Sequence, residues 1–461
     1  MNLLYIGAGF VGACSGAVSA VSGHNVLVYD VDDKRIAMLS SQDREIIESC
    51  LFEEGLGDLL VRNQERLRFV SDYAEVEGFL EKCDAVFMCL PTPEQGETGE
   101  TDLSYYLSAA EKLAGLLNKR NKGGQDKHVL IINKSTVPIN MSDRTADIMN
   151  AAGVKNYGVV ANPEFLVEGK AVRGALKPDL LVVGAEKEQD FLIMRAIYQR
   201  FYSAPNVQYI EVNVREAAAG KLLYNYILFN KLAVCFDVIG RTCEAFPGLH
   251  FENIRKILAS EPRIGNWGFY DSLYAGGSCF IKDARSLAYQ LGHAGINTDL
   301  VSDTYFANKR QLESFIARAE KEADLKWQGK SVSLLGVAFK RDTNDIRNAP
   351  SIEVMNFLLK NGVTKVNVYD PAALLSFKKI FPESDQVHYY SHEFDAIKNT
   401  DVIIITTDWP QFRGLADVMI AELNNLPLIM DGRRMLQHRY LDLQKAGFKI
   451  IAVGSPIISR V

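Results

Sequence analysis

Asn2-Leu3-Leu4-Tyr5-Ile6-Gly7-Ala8-Gly9-Phe10-Val11-Gly12, continuing through small residues to Ser22 and past Gly23 into Val26-Leu27-Val28-Tyr29-Asp30, reads as strand, glycine turn, helix and strand. Each glycine has a separate task in such a unit. Gly7 permits a tight turn, Gly9 lets backbone amides approach a pyrophosphate, and Gly12 lets the helix pack closely on the strand. Glycines alone could do no more than shape a turn. Here an acidic side chain, Asp30, ends the second strand, where a carboxylate accepts hydrogen bonds from an adenosine ribose and repels a 2′-phosphate. The pattern predicts a dinucleotide site that favours NAD over NADP.

Working outward, the 461 residues suggest about two to four domains. With 48% hydrophobic and 23% charged residues, the composition is that of a globular protein with an ample core. A net charge of −6 argues against a broad nucleic-acid or anionic-membrane surface and leaves small molecules as the expected partners. The seven cysteines are scattered without a Cys-x-x-Cys pair, so neither a disulfide framework nor a metal site is indicated, and a reducing cytoplasm is expected. No signal peptide is read at the start, and no later segment is read as long enough to span a bilayer.

Further buried strands are expected at 85–90, 129–132, 159–160 and 180–183, in a doubly wound parallel sheet ending near residue 205. From 212 to 239 there is no proline, which predicts a mostly apolar helix of roughly 25 residues and on the order of 40 Å, buried between domains or subunits. Lys221 and Asn225 share one of its faces at i and i+4, a spacing that a solvated polar stripe would also show. After a charged helix at 308–323 the opening pattern returns: a strand at 331–336, a helix at 352–359, and Val366-Asn367-Val368-Tyr369-Asp370 echoing Val26 to Asp30. This second α/β domain lacks the glycine fingerprint. It should bind something other than a second dinucleotide.

Tyr274-Ala275-Gly276-Gly277-Ser278-Cys279-Phe280-Ile281-Lys282-Asp283 places one cysteine after a Gly-Gly turn at the start of a helix-like run. A cysteine taken at random is more often a small buried hydrophobe. At a helix N-terminus, with Lys282 nearby, the thiolate is favoured, and the thiolate is the nucleophilic form. Asp283, four residues on, is placed to hold a water or pass a proton.

Taken together with Lys134-Ser135-Thr136-Val137-Pro138, Asn162-Pro163-Glu164-Phe165-Leu166-Val167-Glu168-Gly169, Pro262-Arg263-Ile264-Gly265-Asn266, Gly336 to Arg347 and Asp431-Gly432-Arg433-Arg434, these motifs resemble the UDP-glucose/GDP-mannose dehydrogenase family along essentially the whole chain. The resemblance implies an α/β fold: two Rossmann-like doubly wound domains joined by a long central helix and a helical dimerisation domain. Its parts are an NAD-binding domain at 1–205, a dimerisation domain at 206–325 and a UDP-sugar-binding domain at 326–461. The implied activity is four-electron oxidation of UDP-glucose to UDP-glucuronate with NAD, through a thiohemiacetal and thioester on Cys279, in a homodimer or higher homo-oligomer.

By the same resemblance the catalytic groups are Cys279, Lys221, Asn225, Asp283, Glu164 and Thr136. Lysine and asparagine would stabilise an oxyanion, and the carboxylates and threonine would serve as base or organise water. The cofactor would be held by Gly7, Gly9, Phe10, Val11, Gly12, Asp30, Lys34, Thr136, Glu168 and Arg347. The substrate would be held by Glu164, Phe165, Leu166, Lys221, Asn225, Arg263, Gly276, Lys340 and Arg433, with Arg263 reaching across a dimer interface. Glu164 and Glu168 are four residues apart, a spacing that a solvated helix face would also show, but the Asn-Pro-Glu-Phe-Leu setting favours the functional reading. Tyr274-Ala275 stands where the family has glycine and an aromatic, which predicts a different loop path if glycine torsions are needed there. The rivals are the same chemistry on GDP-mannose or a UDP-N-acetylhexosamine, a two-electron hydroxyacid-type dehydrogenase that needs no thiol, and a non-catalytic NAD-binding regulator.

Overall fold

Alternation within the first strand decides how the first sheet is covered. In the computed structural model, which describes residues 1–124, 127–202, 204–270 and 272–459, Leu3 and Tyr5 enter one apolar cluster and Leu4 and Ile6 another. Both faces are therefore buried, as the period-two geometry of a strand requires in a doubly covered sheet. The helix Phe10–Val21 packs on the Leu3 and Tyr5 face through Ala13, Cys14 and Ala17, whose small side chains permit close approach.

The sheet takes in β1 (Asn2–Ile6), β2 (Asn25–Tyr29), β3 (Leu67–Val70), β4 (Ala85–Met88), β5 (Val129–Asn133), β6 (Tyr157–Ala161), β7 (Leu180–Gly184) and β8 (Gln208–Val212). Their order is β3-β2-β1-β4-β5-β6-β7-β8. Six strands are parallel, but β7 meets β6 antiparallel and β8 follows β7. The wholly parallel sheet expected from the sequence is corrected for the last two strands. β7 meets β6 where both strands end, Ala161 opposite Gly184, so the 162–170 segment leaves from the carboxyl edge of the parallel strands. The sheet also continues past residue 205, through β8.

The long helix runs Val214–Ala245, longer than the expected 212–239, with a π-helical stretch at Val234–Gly240. A π segment widens one turn and shifts the faces that follow it. Contrary to the sequence expectation, this one helix is long and apolar enough to cross a membrane by length and composition. Leu222, Phe229 and Phe236 are nevertheless buried within the protein, as in a core helix.

The chain divides into two compact units, Met1–Tyr224 and Asn225–Val461. The second contains a six-stranded parallel sheet of β9 (Ser331–Leu335), β10 (Lys365–Tyr369), β11 (Val387–Tyr389), β12 (Val402–Ile405), β13 (Leu428–Asp431) and β14 (Ile450–Ala452). Its order is β11-β10-β9-β12-β13-β14. Here the chain does not turn straight from strand into helix: residues 336–349 intervene before the helix Pro350–Lys360. Asp370, the counterpart of Asp30, accepts from the amides of Val337, Ala338, Ala372 and Ala373 and from the Trp409 indole. Those five donors match or exceed what one carboxylate accepts. This is the physical reason the second domain has no ribose-binding carboxylate to offer. The charged helix expected at 308–323 begins earlier, at Asp299, and runs to Ala323.

At the opposite edge of the first sheet, His128 Nε2 lies 2.8 Å from buried Asp190 and Nδ1 lies 3.0 Å from Asn156. The hydrogen bond to the Asp190 carboxylate raises the imidazole pKa. A raised native pKa stabilises the fold fully below the unfolded value of about 6.5, and that contribution is lost as pH rises through the native value. We expect His128→Asn to lose more stability at about pH 5.5 than at about pH 8.5, measured by urea unfolding. A deficit that grows with pH would contradict this.

Candidate active site

The glycine turn has no room for side chains where it meets the sheet. A Cβ on Gly7, at φ +105°, would lie 2.2 Å from the Cys89 carbonyl oxygen, and one on Gly12 would lie 1.9 Å from the Gly7 carbonyl oxygen. A Cβ on Gly9 would meet nothing within 4 Å, so the outer side of the turn is open. Gly9 also caps the helix that starts at Phe10 and Val11 without any side-chain hydrogen bond, leaving the first-turn amides to an anion. Asp30 accepts from the Ala8 amide at 2.7 Å and the Asp32 amide at 3.0 Å, which ties β2 to the turn. Arg35, not Lys34, pairs with Asp30 at 3.1 Å, while Lys34 is exposed and uses its backbone amide to cap on Asp32. The sequence reading missed Arg35; its signal was one helical turn of separation from the Asp30 turn. The open turn, uncapped helix start and Asp30 carboxylate fit a dinucleotide.

Two loops at the same sheet edge carry the next groups. Ser135 accepts from the Leu90 amide at 2.8 Å, and Thr92 donates to the Thr136 carbonyl at 2.8 Å, so the ends of β4 and β5 are fastened and Thr136 is held between them. Lys134 is buried; its ammonium donates to the Asn162 side chain at 3.0 Å, and Tyr198 donates to the same oxygen at 2.6 Å. Burial pulls the Lys134 pKa down to about 8.

Beyond Asn162 the chain is not helical until Ala171, so the spacing of Glu164 and Glu168 places them on no common helix face. Glu164 is buried, accepts from the Leu166 amide and stands 3.6 Å from the Lys221 ammonium. Leu166 turns its side chain to the apolar core. Glu168 lies partly exposed. Glu53, which sequence reasoning passed over, is buried and accepts from the amides of Gly169 and Ala171 at 2.7 and 2.8 Å, fixing the far end of the segment. Phe165 sets its ring 5.1 Å from the Lys221 ammonium.

In the second unit Cys279 is the residue from which the helix Phe280–His293 starts, as expected, and its carbonyl accepts from the Asp283 amide at 2.8 Å. Asp283 is fully buried. Its carboxylate accepts from Asn225 at 2.5 Å and pairs with Lys282, so a buried charge is compensated on two sides. The loop before Cys279 is fixed by backbone bonds: Leu273 to Gly432 at 3.1 Å and Gly277 to Arg347 at 3.0 Å. Asn308 both accepts from the Ala275 amide and donates to its carbonyl. Neither Tyr274 nor Ala275 adopts a positive φ, so glycine is not required there. It is required at Gly277, at φ +91°, where a Cβ would lie 2.8 Å from the Phe339 ring, and at Gly276, where a Cβ would lie 2.4 Å from the Asn348 carbonyl oxygen.

The expected phosphate-binding side chains follow around this loop. Arg433 donates to the carbonyls of Thr406 and Phe339, both at 2.8 Å, and so holds the segment on which Lys340 sits. Arg347 is exposed and forked onto Asp345. Arg263 pairs with Glu261 at 2.9 Å, and its side chain is 88% exposed.

Comparison with known proteins matches residues 1–202 to the NAD binding domain, 215–310 to the central domain and 333–438 to the UDP binding domain of one family. The chain belongs to the UDP-glucose/GDP-mannose dehydrogenase family. It is therefore an NAD-dependent oxidoreductase of that family, with NAD as its cofactor. It is 31% identical to a UDP-glucose 6-dehydrogenase of Rickettsia typhi over 457 residues, covering 99% of this chain and 100% of that one. It is 30% identical to a UDP-glucose 6-dehydrogenase of Pseudomonas aeruginosa, covering 99% and 98%. Among solved structures, a UDP-glucose dehydrogenase from Pyrobaculum islandicum superposes with a TM-score of 0.84 at 27% identity, covering 95% of each chain. A UDP-D-ManNAc dehydrogenase from Pyrococcus horikoshii shares the fold, with a TM-score of 0.80 at 21% identity, covering 98% of this chain and 99% of that one.

The Cys279 loop depends on a residue without a side chain. We expect Gly277→Ala to destabilise the protein by about 1–3 kcal/mol in urea unfolding, through left-handed strain and the Phe339 ring. An unchanged midpoint would show that the loop is not held in that conformation.

Proposed function

We propose that the protein oxidises UDP-glucose to UDP-glucuronate in two successive two-electron steps, using Cys279 to hold the intermediate aldehyde. The observation that carries the reading is Cys279 at the start of a helix, one turn from a buried Asp283 that Asn225 and Lys282 fix in place. A two-electron dehydrogenase needs no such thiol. The full-length relatives named UDP-glucose 6-dehydrogenase support the choice of sugar.

Gly7, Gly9, Phe10, Val11, Gly12, Asp30 and Arg35 would hold NAD, which would supply the hydride acceptor, with Lys34, Thr136, Glu168 and Arg347 as further contacts. The primary alcohol gives up a proton and a hydride to become an aldehyde. The Cys279 thiolate adds to the aldehyde carbon and forms a C–S bond; passage of a second hydride to a second NAD, exchanged for the NADH formed first, leaves a thioester. Water, organised by Thr136, Glu164 and Asp283, cleaves the C–S bond, releasing the carboxylate and regenerating the thiol. Lys221 and Asn225, successive turns apart on one helix, supply the charge and the amide for the oxyanion formed at each addition. Lys340, Arg433, Gly276, Phe165 and Leu166 hold the UDP-sugar, and Arg263 does so from a partner subunit. The division into 1–205, 206–325 and 326–461 assigns these roles to cofactor binding, dimerisation and UDP-sugar binding. Leu223, Ile227, Val234 and Val238 leave an exposed apolar stripe along the long helix, which suits burial against a second copy.

Wild type is expected to release two NADH per sugar and to turn over UDP-glucose faster than GDP-mannose or UDP-N-acetylglucosamine, read by NADH absorbance. Cys279→Ser should lower multiple turnover by about a hundredfold or more with NAD binding unchanged. One NADH per sugar, or full activity in the serine variant, would remove the covalent route. Preference for another nucleotide sugar would move the substrate within the family.

A further inference from the structure

Tyr224 stands three residues after Lys221 on the same helix and has no part in the roles assigned above. Its ring meets the Phe165 ring edge-on, with centroids 5.0 Å apart and planes at 85°. The Lys221 ammonium lies 5.1 Å from the Phe165 centroid and 5.6 Å from that of Tyr224. Two π faces thus flank one cation. Lys221 is 4% exposed, so little water reaches it, whereas Tyr224 is 40% exposed.

The ionic partner does not hold this ammonium by itself. Glu164 is 3.6 Å away, beyond hydrogen-bond distance, and its carboxylate already accepts from the Leu166 amide. A second buried ammonium, Lys134, adds like-charge repulsion in the same cluster. The aromatic faces attract a desolvated cation, and an approach within about 6 Å suffices. They also restrict where the flexible lysine stem can place its charge.

We propose that Tyr224, paired with Phe165, is a positioning residue: its π face holds the Lys221 ammonium where the oxyanion of the nucleotide sugar forms. The inference rests on the role given to Lys221 above. It predicts that π character at residue 224, not bulk or the phenol hydroxyl, sets kcat.

The test compares Tyr224→Leu, which keeps apolar bulk and loses the π face, with Tyr224→Phe, which keeps the face and loses the hydroxyl. Tyr224→Leu should lower kcat about 3- to 30-fold with the KM for NAD and the Tm nearly unchanged, and Tyr224→Phe should restore kcat to within about twofold. In parallel, Lys221 acetylation by acetic anhydride, followed by peptide mass spectrometry, should be slow in wild type and Tyr224→Phe and several-fold faster in Tyr224→Leu. Wild-type kcat and labelling in Tyr224→Leu would overturn the proposal, as would equal loss in both variants, which would assign the effect to the hydroxyl. If wild type oxidised no nucleotide sugar, the functional reading would fall, and the labelling comparison alone would decide whether the rings hold Lys221.

Discussion

The backbone of residues 273–277 is bonded directly to the backbone of the UDP binding domain, and the geometry around Cys279 depends on that attachment. Leu273 and Gly277 donate to Gly432 and Arg347, Asn348 donates back to Gly277, and Asn308 grips Ala275 at both its amide and its carbonyl. Such close approach is possible only because Gly276, Gly277 and Gly432 have no side chains. The segments that carry Lys340, Arg347 and Arg433 are therefore fixed to the same loop as the thiol. Specific backbone contact, not a general hydrophobic surface, sets the position of Cys279.

Buried charge is handled consistently in both units. Glu164 faces Lys221, Asp283 is held by Asn225 and Lys282, and Lys134 is tied to Asn162 and Tyr198. A buried unpaired ion costs several kcal/mol, on the order of a large part of a domain's net stability. Each pairing keeps a buried polar group charged or hydrogen-bonded without solvent. That combination, fixed charge in a place poor in water, is what oxyanion chemistry requires.

Much of this was legible in the sequence. The glycine spacing and Asp30 announced the first βαβ unit because each residue there answers a local steric or electrostatic demand. The Gly-Gly-Ser-Cys run likewise announced a thiol at a helix start. The reversal of β7 and β8 was not legible, since an apolar strand reads the same in either direction. Glu53 and Tyr224 were missed because their partners, the Gly169 amide and Phe165, are brought to them by the fold, whereas Arg35 lies only five residues from Asp30. The π segment left no mark in the hydrophobic pattern. Glu164 and Glu168 share a spacing that a solvated helix face would also show, but Asn162 and Glu53 anchor a non-helical segment, so an i, i+4 spacing had no helix to act on.

The central claim is that the carbon being oxidised is bonded to Cys279 between the two hydride losses. Rapid-quench mass spectrometry of the peptide bearing Cys279, with UDP-glucose and NAD mixed at the millisecond to second scale, tests it most directly. The account predicts a transient adduct with the mass of the oxidised nucleotide sugar on that peptide, absent when NAD is omitted. Product acid formed at full rate with Cys279 unmodified at every time point would contradict it.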